Sequence, residues 1–471
     1  MDSTDAAGSR VRTDGSVWAA SRRWALATGM QAISPLALGA TLFLALLVLL
    51  VARVPIGIAM FAVGAAGTCV LSGWEVWLQH LKHLPYARLS NYDLAAIPLF
   101  LLMGQFATQG GLSTALFRFM HALVGRLRGG MAMASIGACA GFGAICGSSV
   151  ATAATMGHAI LPELRKLGYS PSLATGCLAA GGTLGILIPP SIPLLLYAIL
   201  TEESVGKLFV AALLPGALAV LGYVLVIHLL VRLRPGCAPS VEMTEQVPWR
   251  SALPGVVPVL LVFAVVIVGI YGGWANPTEA AAIGALACAA LALRAGRMRW
   301  KELVHSLLGM AQATAMIFLV LLGADMLNTA LALSQLPAVL ADLVREASPN
   351  PMTVVVGILL VYLLLGCLMD SIAMVVLTVP IFAPIVLGLD IPGIDRADLG
   401  LWFGILTLTV VEIGLIHPPM GLNIYLIQRI AGDVSQGQVF RGVLPFLGSD
   451  FVRIALLLAF PPISLFLVHA S

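Results

Sequence analysis

Small polar residues interrupt two of the long apolar runs in this chain. The first interruption is Gly147, Ser148 and Ser149, and the second is Asp370 and Ser371. Hydroxyl and carboxylate oxygens are hard ligands that suit small cations. An acid inside an apolar segment is costly and therefore indicates a function. We expect both interruptions to contribute to a cation or substrate site.

Each interruption is followed by another apolar run that contains a pair of prolines. Two consecutive prolines remove two backbone donors and end an α-helix, and nearby glycines permit the dihedral angles of an unwound segment. Freed carbonyls suit cations, whereas the N-terminal ends of half-helices suit anions. These residues predict two cation sites with an anionic substrate between them. The candidate residues in the two breaks are Thr183, Gly185, Pro189, Pro190, Gly414, His417, Pro418, Pro419 and Asn423.

The two sets of residues have nearly the same spacing along the chain. Ser149 and Ser371 are 222 positions apart, and Gly185 and Gly414 are 229 positions apart. A duplication with one insertion of seven residues explains both distances. In a membrane protein, glycine- and proline-interrupted segments at matching places in two halves indicate the binding site of a transporter.

The composition is typical of a polytopic membrane protein. Hydrophobic residues make up 60% of the 471 residues and charged residues 10%, with a mean hydropathy of +1.01. Many runs reach the roughly 20 residues that a membrane helix needs. We therefore expect an all-α protein in a lipid bilayer and no β-barrel. The net charge of +3 indicates no nucleic-acid partner, and no cleavable signal peptide is recognisable.

No pattern in the chain predicts catalysis. It contains no HExxH or GxxxxGK[ST] motif and no nucleophile elbow, and its seven cysteines are scattered without a CxxC pair. We expect no enzyme and no metal centre apart from the site of a coupling cation.

Four runs predict departures from simple membrane helices. Residues 130–163 and 351–388 have halves too short to span a bilayer, which favours re-entrant hairpins enclosed by protein. Residues 171–200 and 399–428 predict membrane helices broken near their glycines and prolines. The other predicted helices are 36–53, 56–73, 93–110, 207–231, 252–271, 277–295, 307–331 and 443–468.

Loop charges indicate that the two hairpins have opposite orientations. Arginine and lysine favour the cytoplasmic side of a membrane, and they cluster in residues 232–251 and 294–301. Five predicted crossings separate the hairpins, so the first enters from the inside and the second from the outside. This predicts an inverted-topology repeat. The same scheme places the N-terminus outside, despite four arginines in residues 10–23.

The repeat suggests a division of the chain into segments. Two transport repeats each combine a hairpin with a broken helix, and scaffold or arm helices surround them. The predicted segments are an N-terminal tail (1–33), first scaffold and arm helices (34–125), transport repeat 1 (126–200), central scaffold helices (201–306), a second arm region (307–350), transport repeat 2 (351–430) and a C-terminal helix (431–471).

Several candidate residues also have a structural interpretation. Ser148, Ser149 and Asp370 could cap helices at the hairpin turns. His417 could bind a proton, because histidine side chains in general titrate near neutrality, or it could donate to a freed carbonyl. Asn423 could bind substrate or tie down the same carbonyls.

Two glutamates in apolar runs have different expected roles. Glu412 lies one turn before the second break and is a candidate for ion-related work. Glu279 follows Asn276 and Pro277 and could cap its helix.

The motifs resemble those of the large membrane subunit of tripartite ATP-independent periplasmic (TRAP) transporters. The matching segments are 141–156 (GFGAICGSSVATAATM), 181–191 (GGTLGILIPPS), 277–282 (PTEAAA), 366–371 (GCLMDS) and 413–423 (IGLIHPPMGLN). The resemblance extends over about residues 36–468. His417 departs from it, since many relatives have threonine before the proline pair.

The resemblance implies a fold and a mode of action. Such subunits are elevator-type secondary carriers of the bacterial inner membrane, driven by a sodium gradient. A soluble periplasmic binding protein delivers the substrate, often an organic acid such as a dicarboxylate or a sugar acid. A small four-helix membrane subunit supports the scaffold, and here we expect it to be a separate chain.

Two alternatives to this interpretation stay open at this stage. One is a stand-alone carrier of the same architecture, coupled to protons or sodium and independent of a binding protein. The other is a channel or a membrane enzyme, against which the doubly broken repeat argues.

Overall fold

The computed structural model describes residues 35–239, 248–347, 350–367 and 369–470, and in these ranges the regular structure is helical. The predicted N-terminal tail lies outside the described residues. The helices in chain order are α1 (Pro35–Val51), α2 (Ile56–Ser72), α3 (Trp74–Leu89), α4 (Ala96–Gln109), α5 (Leu112–Val124), α6 (Gly130–Cys146), α7 (Ser149–Lys166), α8 (Pro171–Leu187), α9 (Ile192–Thr201), α10 (Val205–Leu233), α11 (Trp249–Tyr271), α12 (Pro277–Arg294), α13 (Trp300–Leu333), α14 (Leu336–Ala347), α15 (Pro351–Gly366), α16 (Ser371–Leu387), α17 (Arg396–Gly414), α18 (Leu422–Ala431), α19 (Gln436–Ala459) and α20 (Pro462–Ala470).

The described residues form two compact units. The smaller unit comprises the described residues up to Ala87 together with Leu322–Leu343. The larger unit comprises Arg88–Leu321 and the described residues from Val344 onward. Both hairpins and both broken helices belong to the larger unit. The predicted boundaries of the scaffold, arm and transport segments stay predictions.

The two predicted hairpins are present. In the first, Gly147 ends α6 in the left-handed region at φ 63°, a conformation that favours glycine, and Ser148 caps α7. In the second, Asp370 caps α16. The helices α6, α15 and α16 contain 17, 16 and 17 residues. They fall short of the roughly 20 residues of a spanning helix.

The two predicted broken helices are present as well. Helix α8 stops at Leu187 and α9 begins at Ile192, and the hydroxyl of Ser191 accepts from the amide of Leu194 to cap α9. Helix α17 stops at Gly414 and α18 begins at Leu422. The peptide bonds Pro189–Pro190 and Pro418–Pro419 are cis. Helix α17 lies in the core of the larger unit, with every side chain from Leu399 to Gly414 buried.

Several of the other helices can span the membrane. Among the described residues, seven helices are long and apolar enough to cross a bilayer, if α8 and α9 are taken as one broken span. Helices α4 and α5 are bent by 67° at their junction.

Three helices of the described residues were not predicted: α3, α5 and α14. The predicted single helix 443–468 is also wrong, because the structure divides it into α19 and α20 near Phe460 and Pro461. Helix α3 carries charged residues and histidines along its length, so it lacks a long apolar run. Helices α5 and α14 are amphipathic, with 13 and 12 residues. A search for bilayer-length apolar runs does not detect such helices.

Candidate functional site

The first hairpin tip packs directly against the first helix break. A Cβ added to Gly185 would lie 2.7 Å from Thr152 Oγ1 and 2.9 Å from the carbonyl oxygen of Ser148. A Cβ added to Gly147 would lie 2.9 Å from the carbonyl oxygen of Pro190. Only residues without a side chain allow this approach. The carbonyl of Gly147 accepts from the amide of Ile192 at 3.2 Å, which joins the tip to the start of α9.

The second hairpin tip has the same arrangement. Gly366 lies so close to Gly414 that a Cβ on the former would be 2.9 Å from the Cα of the latter. Cys367 Sγ donates to the carbonyl of Pro418 at 3.3 Å. The Nδ1 of His417 lies 2.5 Å from that carbonyl oxygen. His417 therefore has the carbonyl partner that its structural interpretation requires, and Pro419 follows in the same loop.

The capping interpretation of the tip residues also has its partners. Ser148 Oγ accepts from the amide of Ala151 at 3.5 Å, and Asp370 Oδ1 accepts from the amide of Ala373 at 2.9 Å. Ser149 and Ser371 are the first residues of the helices that these caps begin. Capping uses one lone pair of Ser148 Oγ and the Oδ1 atom of Asp370. The remaining acceptor capacity of these two side chains can serve a ligand.

Asn423 joins the second break to the first hairpin. Its Nδ2 donates to Ser149 Oγ at 2.7 Å and to the carbonyl of Ala179 at 3.2 Å. Its Oδ1 is buried and has no hydrogen-bond partner. A buried acceptor without a donor is costly, and a cation or a donor group of a substrate would satisfy it. The structure thus brings together Ser149 and Asn423, which are 274 positions apart.

Thr183 belongs to a buried charged cluster. Its Oγ1 is 2.8 Å from Glu412 Oε1 and 3.4 Å from Tyr223 Oη. Arg453 Nη2 lies 3.0 Å from Glu412 Oε2 and 2.9 Å from Asp450 Oδ1. Tyr223 donates to Asp450 Oδ2 at 2.9 Å. We call these five residues the buried charged cluster.

The sequence predictions missed most of this cluster, although a signal was present. Asp450 and Arg453 interrupt the predicted apolar run 443–468, and intramembrane charges indicate function or mutual pairing. Thr183 and Glu412 are 229 positions apart, which is the offset of the two breaks. Tyr223 and Arg453 each follow a helix proline, Pro215 or Pro445, by eight positions. Thr183 and Glu412 are therefore counterparts in the repeat, and so are Tyr223 and Arg453.

The donor set at the tips and breaks consists of oxygen atoms. Within the described part of the chain, no three His, Cys, Asp or Glu side chains converge as a metal site would require. Hydroxyl, carboxylate, amide and carbonyl oxygens suit hard cations such as sodium rather than transition metals.

Comparisons with known proteins agree with this architecture. The family model of the tripartite ATP-independent periplasmic transporter, DctM component, matches residues 43–463. The C4-dicarboxylate TRAP transporter large permease protein DctM of Pseudomonas aeruginosa is 37% identical over 377 residues, which cover 80% of this chain and 86% of that protein. The sialic acid TRAP transporter large permease protein SiaM of Vibrio cholerae is 30% identical over 425 residues, which cover 89% and 96%.

A solved structure shares the fold. The YdaH transporter of Alcanivorax borkumensis, described as having an unusual topology, superimposes with a TM-score of 0.58 at 16% identity and covers 81% of this chain and 88% of its own. The family match over nearly the whole chain and the membrane-length helices lead to one conclusion. The chain belongs to the DctM family of TRAP transporter large permease subunits and is a multi-pass protein of the inner membrane.

Proposed function

We propose that this chain is the permease of a sodium-coupled importer of organic acids. In this proposal a periplasmic binding protein delivers the acid, a small four-helix membrane subunit supports the permease, and an elevator motion moves the site across the membrane. The elevator part rests on the family resemblance. Both tips and both breaks lie in one compact unit, which also contains the predicted central scaffold helices.

The contact between Asn423 and the first hairpin tip is the observation that carries the proposal. This amide ties the second break to Ser149, while its own buried Oδ1 lacks a donor. A sodium ion or a polar substrate group at this oxygen would bind both repeats at once. Binding would therefore stabilise the arrangement in which the tips and breaks are closed on one another.

The helix ends suit an anionic substrate beside the cation. Helices α7 and α16 begin at the two tips, and a helix N-terminus carries partial positive charge and free amide donors. Cations held by oxygen ligands at the same tips would add to the attraction for a carboxylate. Electrostatic attraction between the two ligands is a direct way to couple sodium binding to acid binding.

The names of the relatives suggest which acids to test. The Pseudomonas relative is named for C4-dicarboxylates and the Vibrio relative for sialic acid. We propose a four-carbon dicarboxylate as the first substrate to test, because the relative of that name has the higher identity. The sugar acid is the second.

Uptake into proteoliposomes tests the proposal. The vesicles would contain this chain with its small subunit, and the binding protein and a radiolabelled acid would be added outside, with or without an inward sodium gradient. We expect uptake only when both sodium and the binding protein are present. Uptake that follows a proton gradient without the binding protein would contradict the proposal and support the stand-alone carrier.

Variants at the tips connect this test to the site. We expect Ser149→Ala to slow sodium-dependent uptake, because it removes the hydroxyl that Asn423 contacts. Asp390→Asn is the matched control, since its exposed side chain pairs only with Arg396 among the contacts of the described residues. Equal rates for wild type and Ser149→Ala would remove Ser149 from the site.

A further inference from the structure

A cleft lies where the helices α10, α11 and α20 meet. Its volume is about 410 Å³, which falls within the roughly 300–1,000 Å³ that is typical of small-molecule sites. Helix α10 contributes the start of one face, whereas α11 and α20 contribute their C-terminal ends. The lining residues include Gly206, Lys207, Val210, Ile270, Tyr271 and Leu467. The cleft is therefore separate from the tips, the breaks and the buried charged cluster.

The cleft lies at the level of the membrane surface. The spanning helix α11 ends at Tyr271, and three residues later Trp274 is 81% exposed. Tryptophan is enriched at the boundary between membrane and water. Leu214 of α10 and Val268 of α11 are exposed, and both follow lining residues at helical spacing. The cleft therefore joins the headgroup region to an apolar surface of the spanning helices.

Two polar groups in the cleft suit a phosphate. Lys207 is exposed and carries a positive charge. The Oη atom of Tyr271 is buried and, among the described residues, has no hydrogen-bond partner. A buried hydroxyl without a partner is costly. A phosphate oxygen would accept from this hydroxyl, and the ammonium group of Lys207 would add a charge-assisted hydrogen bond.

Carboxylates beside the cleft narrow the choice of ligand. Glu203 and Lys207 are four positions apart and act on each other electrostatically. Asp398 adds a second negative charge near Glu203 and is paired with His469. A ligand with a net negative charge would be repelled by these carboxylates, whereas a ligand that carries both charges fits a cation next to an anion.

We propose that the cleft binds a zwitterionic glycerophospholipid with a primary amine in its headgroup. The phosphate lies between Lys207 and Tyr271, the ammonium group faces Glu203, and an acyl chain lies against Val210 and Ile270. The bound lipid connects the end of α11 to the start of α10. Lipid binding here is independent of the transported acid and of the coupling ion.

Thermal unfolding of the full-length chain in a phosphate-free maltoside detergent tests this site. Phosphatidylethanolamine, phosphatidylglycerol, diacylglycerol or inorganic phosphate would be added to delipidated protein, and native mass spectrometry would measure the affinity for the first lipid. We expect phosphatidylethanolamine to raise Tm. Phosphatidylglycerol should bind about tenfold more weakly, because it lacks the charged contact to Glu203. Diacylglycerol and inorganic phosphate should leave Tm unchanged.

Variants of the polar groups identify the contacts. Tyr271→Phe removes the unpartnered hydroxyl, so without lipid it should be at least as stable as the wild type. With phosphatidylethanolamine it should lose most of the rise in Tm, a combination that a role in packing alone does not produce. Lys207→Gln should weaken binding about tenfold. Glu203→Gln should remove the preference for phosphatidylethanolamine over phosphatidylglycerol.

A variant of Gly206 tests the space itself. Outside its own helix, a Cβ at this position meets Ile270 Cγ2 at 3.9 Å, so a larger side chain would extend into the cleft. Gly206→Leu should therefore abolish lipid binding although Lys207 and Tyr271 remain. The control is the double variant Lys82→Gln and Tyr86→Phe on α3, which changes an exposed cation and an exposed phenol outside the cleft and should bind lipid normally.

Several outcomes would overturn the proposal. An equal rise in Tm with diacylglycerol would mean that the cleft takes any acyl chain, and a rise with inorganic phosphate would mean that it takes free phosphate. Tighter binding of phosphatidylglycerol, or an unchanged lipid response in Tyr271→Phe and Lys207→Gln, would contradict it as well. Loss of the response in the presence of the small subunit would show that a subunit helix covers the cleft. Tyr271→Phe and Lys207→Gln decide the question even if Gly206→Leu fails to fold.

Discussion

The two repeats of this chain share their backbone breaks but differ in the chemistry of matching positions. At the hairpin tips, Ser148 of the first repeat corresponds to Asp370 of the second, and both cap the helix that follows. Before the breaks, Thr183 corresponds to Glu412. In both comparisons the first repeat has a hydroxyl where the second has a carboxyl.

The long helices that follow the breaks differ in the same way. Tyr223 of α10 corresponds to Arg453 of α19, and Asp450 corresponds to Val220, a nonpolar residue. The ionisable residues of the cluster, apart from the Tyr223 phenol, thus belong to the second half of the chain. The first half contributes the hydroxyl groups of Thr183 and Tyr223, which contact them.

The contact between counterparts explains this division. In a symmetric pair, residues on the twofold axis contact their own equivalents, and Thr183 and Glu412 do so here. Two acids at such a place would repel each other, whereas an acid and a hydroxyl can share a proton. The duplicated backbone therefore places the residues, and the divergence of the side chains makes the contact favourable.

Removal of the guanidinium should have the largest effect on stability. Arg453→Met would leave the carboxyls of Glu412 and Asp450 without a cation, and loss of one partner of a buried pair costs about 3–5 kcal/mol. We expect a decrease of that size in the free energy of unfolding, measured in mixed micelles. The control is Arg396→Gln, because the ion pair between Arg396 and Asp390 is exposed to solvent. Equal stabilities of the two variants would show that the cluster contributes little.

The hairpin tips provide the next test, because the hydroxyl of Ser148 corresponds to the carboxyl of Asp370. Asp370→Asn keeps a side chain that caps helices well but removes the negative charge. Loss of a charged ligand costs about 1.5–3 kcal/mol, so we expect sodium-dependent uptake to slow by about tenfold or more with little change in unfolding. Ser148→Thr keeps the hydroxyl and should retain most of the uptake. If Asp370→Asn transports like the wild type, the carboxyl serves only as a cap.

The sequence predicts the parts of the fold that depend on backbone chemistry. Polar interruptions of apolar runs identify the turns at Gly147 and Asp370. Glycines with proline pairs identify the breaks after Leu187 and Gly414, because consecutive prolines end a helix. Apolar length identifies most of the spanning helices. Helices α3, α5 and α14 were missed because they are amphipathic or polar, and their stability depends on packing partners that a local pattern does not show.

The sequence predicts the candidate site less completely. The tip and break residues were identified, but their contacts were not, since Asn423 and Ser149 are 274 positions apart. The buried charged cluster depends on four helices, and only Glu412 of its three charged members was noted as a candidate. Charges within apolar runs indicate importance, but their partners become clear only when the repeat offsets are combined with the fold.

Both repeats have close backbone contacts at their breaks. Alanine substitutions there should therefore lower the free energy of unfolding by similar amounts, smaller than the effect of removing Arg453. Gly185→Ala would place a Cβ against Thr152 and Ser148, and Gly414→Ala would place one against Gly366. Overpacking of this kind costs about 1–3 kcal/mol, which we expect as a lower free energy of unfolding for each variant. Gly357→Ala is the control, because a Cβ there meets nothing within 4 Å. A helical alanine at that position should be neutral or stabilising by up to about 1 kcal/mol. A tolerated Gly185→Ala with an impaired Gly414→Ala would show that the two breaks pack differently.

The smallest effect should appear where the repeats meet outside the membrane-spanning segments. Burial raises the pKa of the Glu203 carboxyl, the negative charge of Asp398 raises it further, and Lys207 opposes both. The folded state binds a proton on Glu203 more tightly than the unfolded state does. Ionised Glu203 therefore lowers the free energy of unfolding at neutral pH. This destabilisation disappears as the pH falls through the raised pKa. We therefore expect Glu203→Gln to increase Tm at neutral pH by the equivalent of about 0.5 kcal/mol or less, as for a surface group. At an acidic pH that protonates the carboxyl in both states, the variant and the wild type should unfold at the same Tm. The control is Glu202→Gln, because Glu202 is the exposed neighbour of Glu203. An equal increase in Tm for that variant would show that the effect does not come from the contact of Glu203 with the second repeat.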